Sequence, residues 1–146
     1  SAQILPYFSG HPVFQALTNA FSDSKTVYKR LRGAVGSQLP FGIVSFLQNQ
    51  FPTAIWICAD QEQARYLKDD LEGISRKQEI LFFPASFKRP YQVEEIDNAN
   101  VLQRAEVMSR IAAGSKDWII ITYPEALSEK VISQKTLQTN TLLLQK

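Results

Sequence analysis

Three short apolar runs set the strongest limit on what this chain can fold into. Residues 53–59 read TAIWICA, residues 80–83 read ILFF and residues 118–122 read WIIIT. Each is apolar on both of the faces that a strand presents, so each needs cover on both sides, which is the condition of a parallel sheet between helices. Helical segments separate the runs, and the alternation from Tyr28 to about Val131 predicts an α/β domain with a parallel sheet. The run 53–59 has the character of a central strand.

The intervening segments carry helical spacing. In residues 60–74, DQEQARYLKDDLEGI, Asp60 can cap the first turn with Gln63 three residues on. Ala64, Leu67, Leu71 and Ile74 then form one apolar stripe, while Arg65 and Asp69, and Lys68 and Glu72, are spaced to pair on the wet face. A second stripe is expected through Val101, Ala105, Met108 and Ala112, stopped by Gly114 in the left-handed conformation. A third helix is expected near Thr122, whose hydroxyl stands three residues before Glu125. Ahead of the alternation, Pro12 can open a short helix with Phe14, Leu17 and Phe21 on one side.

Composition narrows the class. Of 146 residues, 45% are hydrophobic and 11% aromatic, which places the chain among folded domains rather than disordered segments. Sixteen basic against fourteen acidic side chains leave a net charge of only +2, so bulk charge does not mark a polyanion binder and a local cluster would have to. The single cysteine, Cys58, rules out an internal disulfide and fits a reducing compartment. With His11 the only histidine, no metal site is expected. No apolar run approaches the length of a membrane span, and a soluble, cytoplasmic protein without membrane contact is the expectation.

Residues 30–44, RLRGAVGSQLPFGIV, have the outline of a phosphate-binding loop between a strand and a helix. A working loop of this kind spaces its residues G-x-x-x-x-G-K-[ST]. The glycines let the backbone wrap the phosphates, the lysine reaches the terminal oxygens and the hydroxyl holds magnesium. Counted from Gly33, through Gly36 and Ser37, the second required glycine is Gln38, the lysine is Leu39 and the hydroxyl residue is Pro40. All three chemical functions are lost, and the segment reads as a tight turn that keeps the position of a ligand site without its chemistry.

A second candidate is the basic and aromatic set Lys88, Arg89 and Tyr91 in the long loop 84–98, with Arg104 on the helix beyond it. Cations for phosphates and a ring for stacking would suit nucleic acid or a protein partner. The acidic Glu94, Glu95 and Asp97 that follow oppose this, and a solvated connection is the competing reading. Lys29, Arg30 and Arg32 alternate as on a strand, with Lys29 opposite the other two, which suits an edge or partner surface. Neighbouring carboxylates at Asp69 and Asp70 diverge on a helix and form no acid/base dyad. His11 is expected as a helix cap, and Cys58 as inert packing inside a strand.

Taken in order, the degenerate loop, CADQEQARYLKDDL, the Pro/Tyr loop, NVLQRAEVMSRI and DWIIITYPEALSEKV resemble the UvrB-homologous module of bacterial transcription-repair coupling factors. The resemblance runs from about Tyr28 to the last residue, and it rests on several weak motifs together. It implies a partial RecA-like domain at 27–138, preceded by a helical element at 1–26 and followed at 139–146 by a strand leading into an inserted domain. It further implies no catalytic residue and no cofactor in this chain, with ATP and magnesium serving a separate C-terminal motor. Implied partners are UvrA, mainly through the inserted domain, the other domains of the same protein, and RNA polymerase and DNA through the whole assembly. An ATP-binding helicase domain, or a DNA-binding module using loop 84–98, are the alternatives.

Overall fold

The computed structural model describes residues 5–22, 32–33, 36–50, 53–75, 77–87 and 97–131. The elements in chain order are α1 (Leu5–Ser9), α2 (Pro12–Ser22), α3 (Gln38–Gln50), β1 (Ala54–Ile57), α4 (Gln61–Ile74), β2 (Glu79–Phe82), α5 (Asn98–Ala112), β3 (Trp118–Thr122) and α6 (Pro124–Ser128). The strands form a parallel sheet in the order β1-β3-β2. Ala54 pairs with Ile119 and Ile57 with Thr122 on one side of β3, and Glu79 pairs with Trp118 and Phe82 with Ile121 on the other. The class is therefore α/β, with helices against a parallel sheet.

All five residues of β3 are buried, so WIIIT is the central strand among those described. The expectation for residues 53–59 is not met among the described strands, where β1 has a neighbour on one side and leaves Ile55 and Ile57 more than half exposed. Sequence character could not separate the two runs, since both are apolar on each face. What ranks them is pairing, and only β3 has a hydrogen-bonded neighbour on both sides among the described strands.

Helix α4 forms as its sequence dictates. Asp60 accepts the Gln63 backbone N–H at 2.8 Å, and the Gln63 side-chain amide donates to the same carboxylate at 3.0 Å. Ala64, Leu67, Leu71 and Ile74 are the buried stripe, directed at β2 and β3. Lys68 and Glu72 pair at 2.7 Å. Arg65 departs from its expected place beside Asp69, and its guanidinium carbon lies over the Phe82 ring at 5.7 Å.

Helix α5 differs from its expected stripe by one residue. The face turned inward is Asn100, Arg104 and Val107, whereas Val101 and Ala105 are exposed. Polar groups at the ends of β2 and β3 draw Asn100 and Arg104 inward, and the helix rotates to serve them. Its C-terminus closes as expected. Gly114 takes φ of 67°, its N–H reaches the Ile111 carbonyl and that of Ser115 the Arg110 carbonyl, a Schellman ending. The cap expected of Thr122 is absent. Thr122 belongs to β3, and its hydroxyl donates across the sheet to the Phe83 carbonyl at 2.9 Å, so Tyr123 stands at the start of α6 and Pro124 fills the first turn.

Among the described residues, no helix is long and apolar enough to cross a membrane. The fold predicts a sharp contrast on α4. Leu71→Ala, at a fully buried position, should cost roughly 2–5 kcal/mol in urea unfolding. Tyr66→Ala, on the same helix but mostly exposed, should stay within about 0.5 kcal/mol of the unsubstituted protein.

Candidate functional site

Two glycines ahead of α3 are held in the left-handed region. Gly33 and Gly36 have φ of 84° and 55°, a region that side-chain-bearing residues rarely enter. Neither glycine faces an atom within 4 Å of where a Cβ would stand, so backbone conformation is what requires them. At the start of α3 the Leu39 N–H reaches the Gly36 carbonyl at 3.2 Å and the Phe41 N–H reaches that of Ser37 at 3.4 Å. Pro40 between them has no N–H at all. An anion held at a helix start needs such donors directed at it, and two of these are turned to the chain's own carbonyls.

The side chains agree with the backbone. Leu39, at the lysine position, is half-buried and packs against the core, and Pro40 is buried. Ser37 and Gln38 are exposed. The residues present therefore do not fit a nucleoside triphosphate with magnesium. Helix α2 lies across this end of α3, and a Cβ on Gly42 would stand 2.2 Å from the Phe14 ring, so that glycine is what admits the ring. Phe14, Leu17 and Phe21 share a cavity of about 440 Å³ with Gly33, Leu39 and Trp56. The one-sided apolar face expected of α2 is thus directed at the first turns of α3. His11 serves the expected cap, its ring Nδ1 accepting the Val13 N–H at 3.3 Å.

A polar network closes the carboxyl ends of β2 and β3. The buried Arg104 donates from one guanidinium nitrogen to the carbonyls of Pro84 and Ala126, at 2.7 and 3.0 Å, with the Glu129 carboxylate at 3.5 Å. Its Nη2 has no polar partner among the described residues, and the guanidinium carbon lies 4.1 Å from the centroid of the Phe83 ring. Burial draws this guanidinium below its ordinary range, against the opposing pull of Glu129 and Tyr123. Glu129 accepts from the Ser86 N–H and hydroxyl, Asn100 donates to the Ala85 carbonyl, and the Tyr123 hydroxyl accepts the Ala85 N–H. Burial raises the Tyr123 phenol above its usual range, and the Ala85 N–H opposes that shift.

This placement corrects the expectation for Arg104. It is a strut between loop and helices, with 8% of its surface exposed, and offers no cation to a nucleic acid or partner. Lys88, Arg89 and Tyr91 lie outside the described residues, as do Lys29, Arg30, Glu94, Glu95 and residues 139–146. Arg32 is described and exposed, beside Phe8, His11 and Gly33. Cys58 is half-buried at the end of β1, and burial, with the Asp60 carboxylate, raises its thiol above the ordinary range. The network residues Ser86, Asn100, Tyr123 and Glu129 escaped sequence reasoning. The nearest signal was the i, i+4 spacing of Asn100 and Arg104, which puts both on one side of α5.

No protein-family model matches the chain, and comparison with curated proteins gives no match either. Two outcomes follow from the geometry. Arg104→Ala should destabilise the fold by roughly 3–5 kcal/mol in urea, because it leaves the Glu129 carboxylate and two carbonyls without their cation. Cys58 should react with iodoacetamide at pH 8 more slowly in the folded chain than in urea, because a raised pKa leaves less thiolate, and its rate should climb with pH.

Proposed function

We propose that this chain is a scaffold without nucleotide chemistry, the catalytically inert UvrB-like module of a transcription-repair coupling factor, with a RecA-like ancestry of its sheet. The observation that carries the reading is the start of α3. There the lysine position is an apolar residue packed inward, the next residue has no N–H, and the flanking amides are bonded to the chain itself. A parallel sheet with a glycine turn opening a helix, and Phe14 seated on Gly42, supports architecture retained for protein contacts.

On this reading the chain has no catalytic residue. ATP and magnesium belong to a separate motor of the parent protein, which displaces stalled RNA polymerase on DNA. UvrA is engaged mainly through the domain that follows, and this module packs against other domains of the same protein until that contact is exchanged. The DNA-binding alternative now depends on Lys88, Arg89 and Tyr91 without Arg104.

Isothermal titration with ATP and magnesium tests the scaffold reading directly. No binding tighter than about 1 mM is expected, and a micromolar heat would overturn it. DNA binding that strengthens as salt is lowered and is lost in a Lys88→Ala, Arg89→Ala variant would favour the nucleic-acid alternative instead.

A further inference from the structure

The sheet is covered unequally. Register places Ile55 beside Ile120 and Ile57 beside Thr122, so these four side chains share one face. Helix α5 covers that face over β2, but Ile55 and Ile57 remain 58% and 56% exposed. Two adjoining hollows of about 220 and 180 Å³ run from there between α5 and the segment after α6, and they share Met108 and Val131. Ile111 and Leu127, each nearly half exposed, complete an apolar groove. A parallel sheet is ordinarily covered on both faces, so a groove of this composition calls for an occupant.

We propose that the groove is the seat of the chain's own residues 132–146. The last described residue, Val131, is itself part of the groove wall, so the chain leaves the described structure from within the site. Fifteen residues follow, among them Ile132, Leu137 and the run Leu142, Leu143 and Leu144. Extended, they reach about 50 Å, several times the width of a three-stranded sheet. A tethered segment meets the groove at millimolar effective concentration, whereas a second copy or a separate partner first loses the entropy of association. The inference stands apart from the proposed function, since it concerns the cover of a sheet face and not nucleotide chemistry.

Hydrogen exchange on the 146-residue chain tests it. Amides of residues 142–144 should exchange at least about tenfold more slowly than in the unfolded chain. Ile55→Lys with Ile57→Lys, at side chains already more than half exposed in the described structure, should abolish that protection and leave α4 protected. Fast exchange at 142–144 in the unsubstituted chain overturns the proposal, and so does protection that survives the double substitution. Protection that vanishes on dilution, with a dimer mass by light scattering, overturns it in favour of a second copy. If the double variant loses α4 protection, Leu143→Asp takes its place. It alters no described residue and should raise anilinonaphthalene-sulfonate fluorescence as the groove opens, and unchanged fluorescence overturns the proposal.

Discussion

The burial of β3 is the constraint from which the other contacts follow. A strand with five buried residues must be hydrogen-bonded on both edges, because its backbone groups have no water to turn to. β1 and β2 supply those bonds, and the ladder continues past the strands, with the Cys58 N–H on the Thr122 carbonyl at 2.8 Å and the Phe83 N–H on that of Ile121 at 2.9 Å. The same burial demands apolar cover. α4 gives it on one face through Leu67 and Leu71, and α5 gives it on the other through Val107.

Where the strands end, the apolar logic ends with them, and polar groups take over. The backbone of residues 84–86 leaves the sheet inside the protein, and its carbonyls and amides would be stranded without partners. Arg104, Asn100, Tyr123 and Glu129 meet them one by one. A buried cation is tolerable here because its charge is shared between two carbonyls, a carboxylate and an aromatic face. The degenerate loop shows the opposite solution. The Leu39 and Phe41 amides bond to the chain's own carbonyls at Gly36 and Ser37, and the side chains at 39 and 40 join the packing.

Much of the fold was legible because it rests on local rules. Asp60 with Gln63, the Ala64 to Ile74 stripe and the Gly114 stop each depend on residues within a turn or two of one another, and each formed as read. The misreadings all involve distant partners. Thr122 could have capped α6, but Phe83 offered its carbonyl from 39 residues away. Val101 and Ala105 had the better apolar spacing on α5, yet the polar ends of β2 and β3 claimed Asn100 and Arg104 and rotated the helix. At the candidate site, the loss of phosphate chemistry was legible at Gln38, Leu39 and Pro40. The seat of Phe14 on Gly42 was not, since nothing local links a ring on α2 to a glycine on α3.

The sequence by itself determined the α/β class, the positions of β1, β2 and β3 and of α2, α4 and α5, and the absence of a lysine at the end of the glycine loop. Those follow from periodicity, backbone conformational limits and side-chain chemistry, which act over a few residues. Tertiary structure alone decided that β3 and not β1 is central among the described strands, and that Arg104 is a buried strut. It also decided that one face of β1 is left without cover among the described residues. The physical reason is the same in each case. A side chain's inclination to be buried is its own, but which strand is doubly paired and which cation is desolvated depend on neighbours brought from far along the chain.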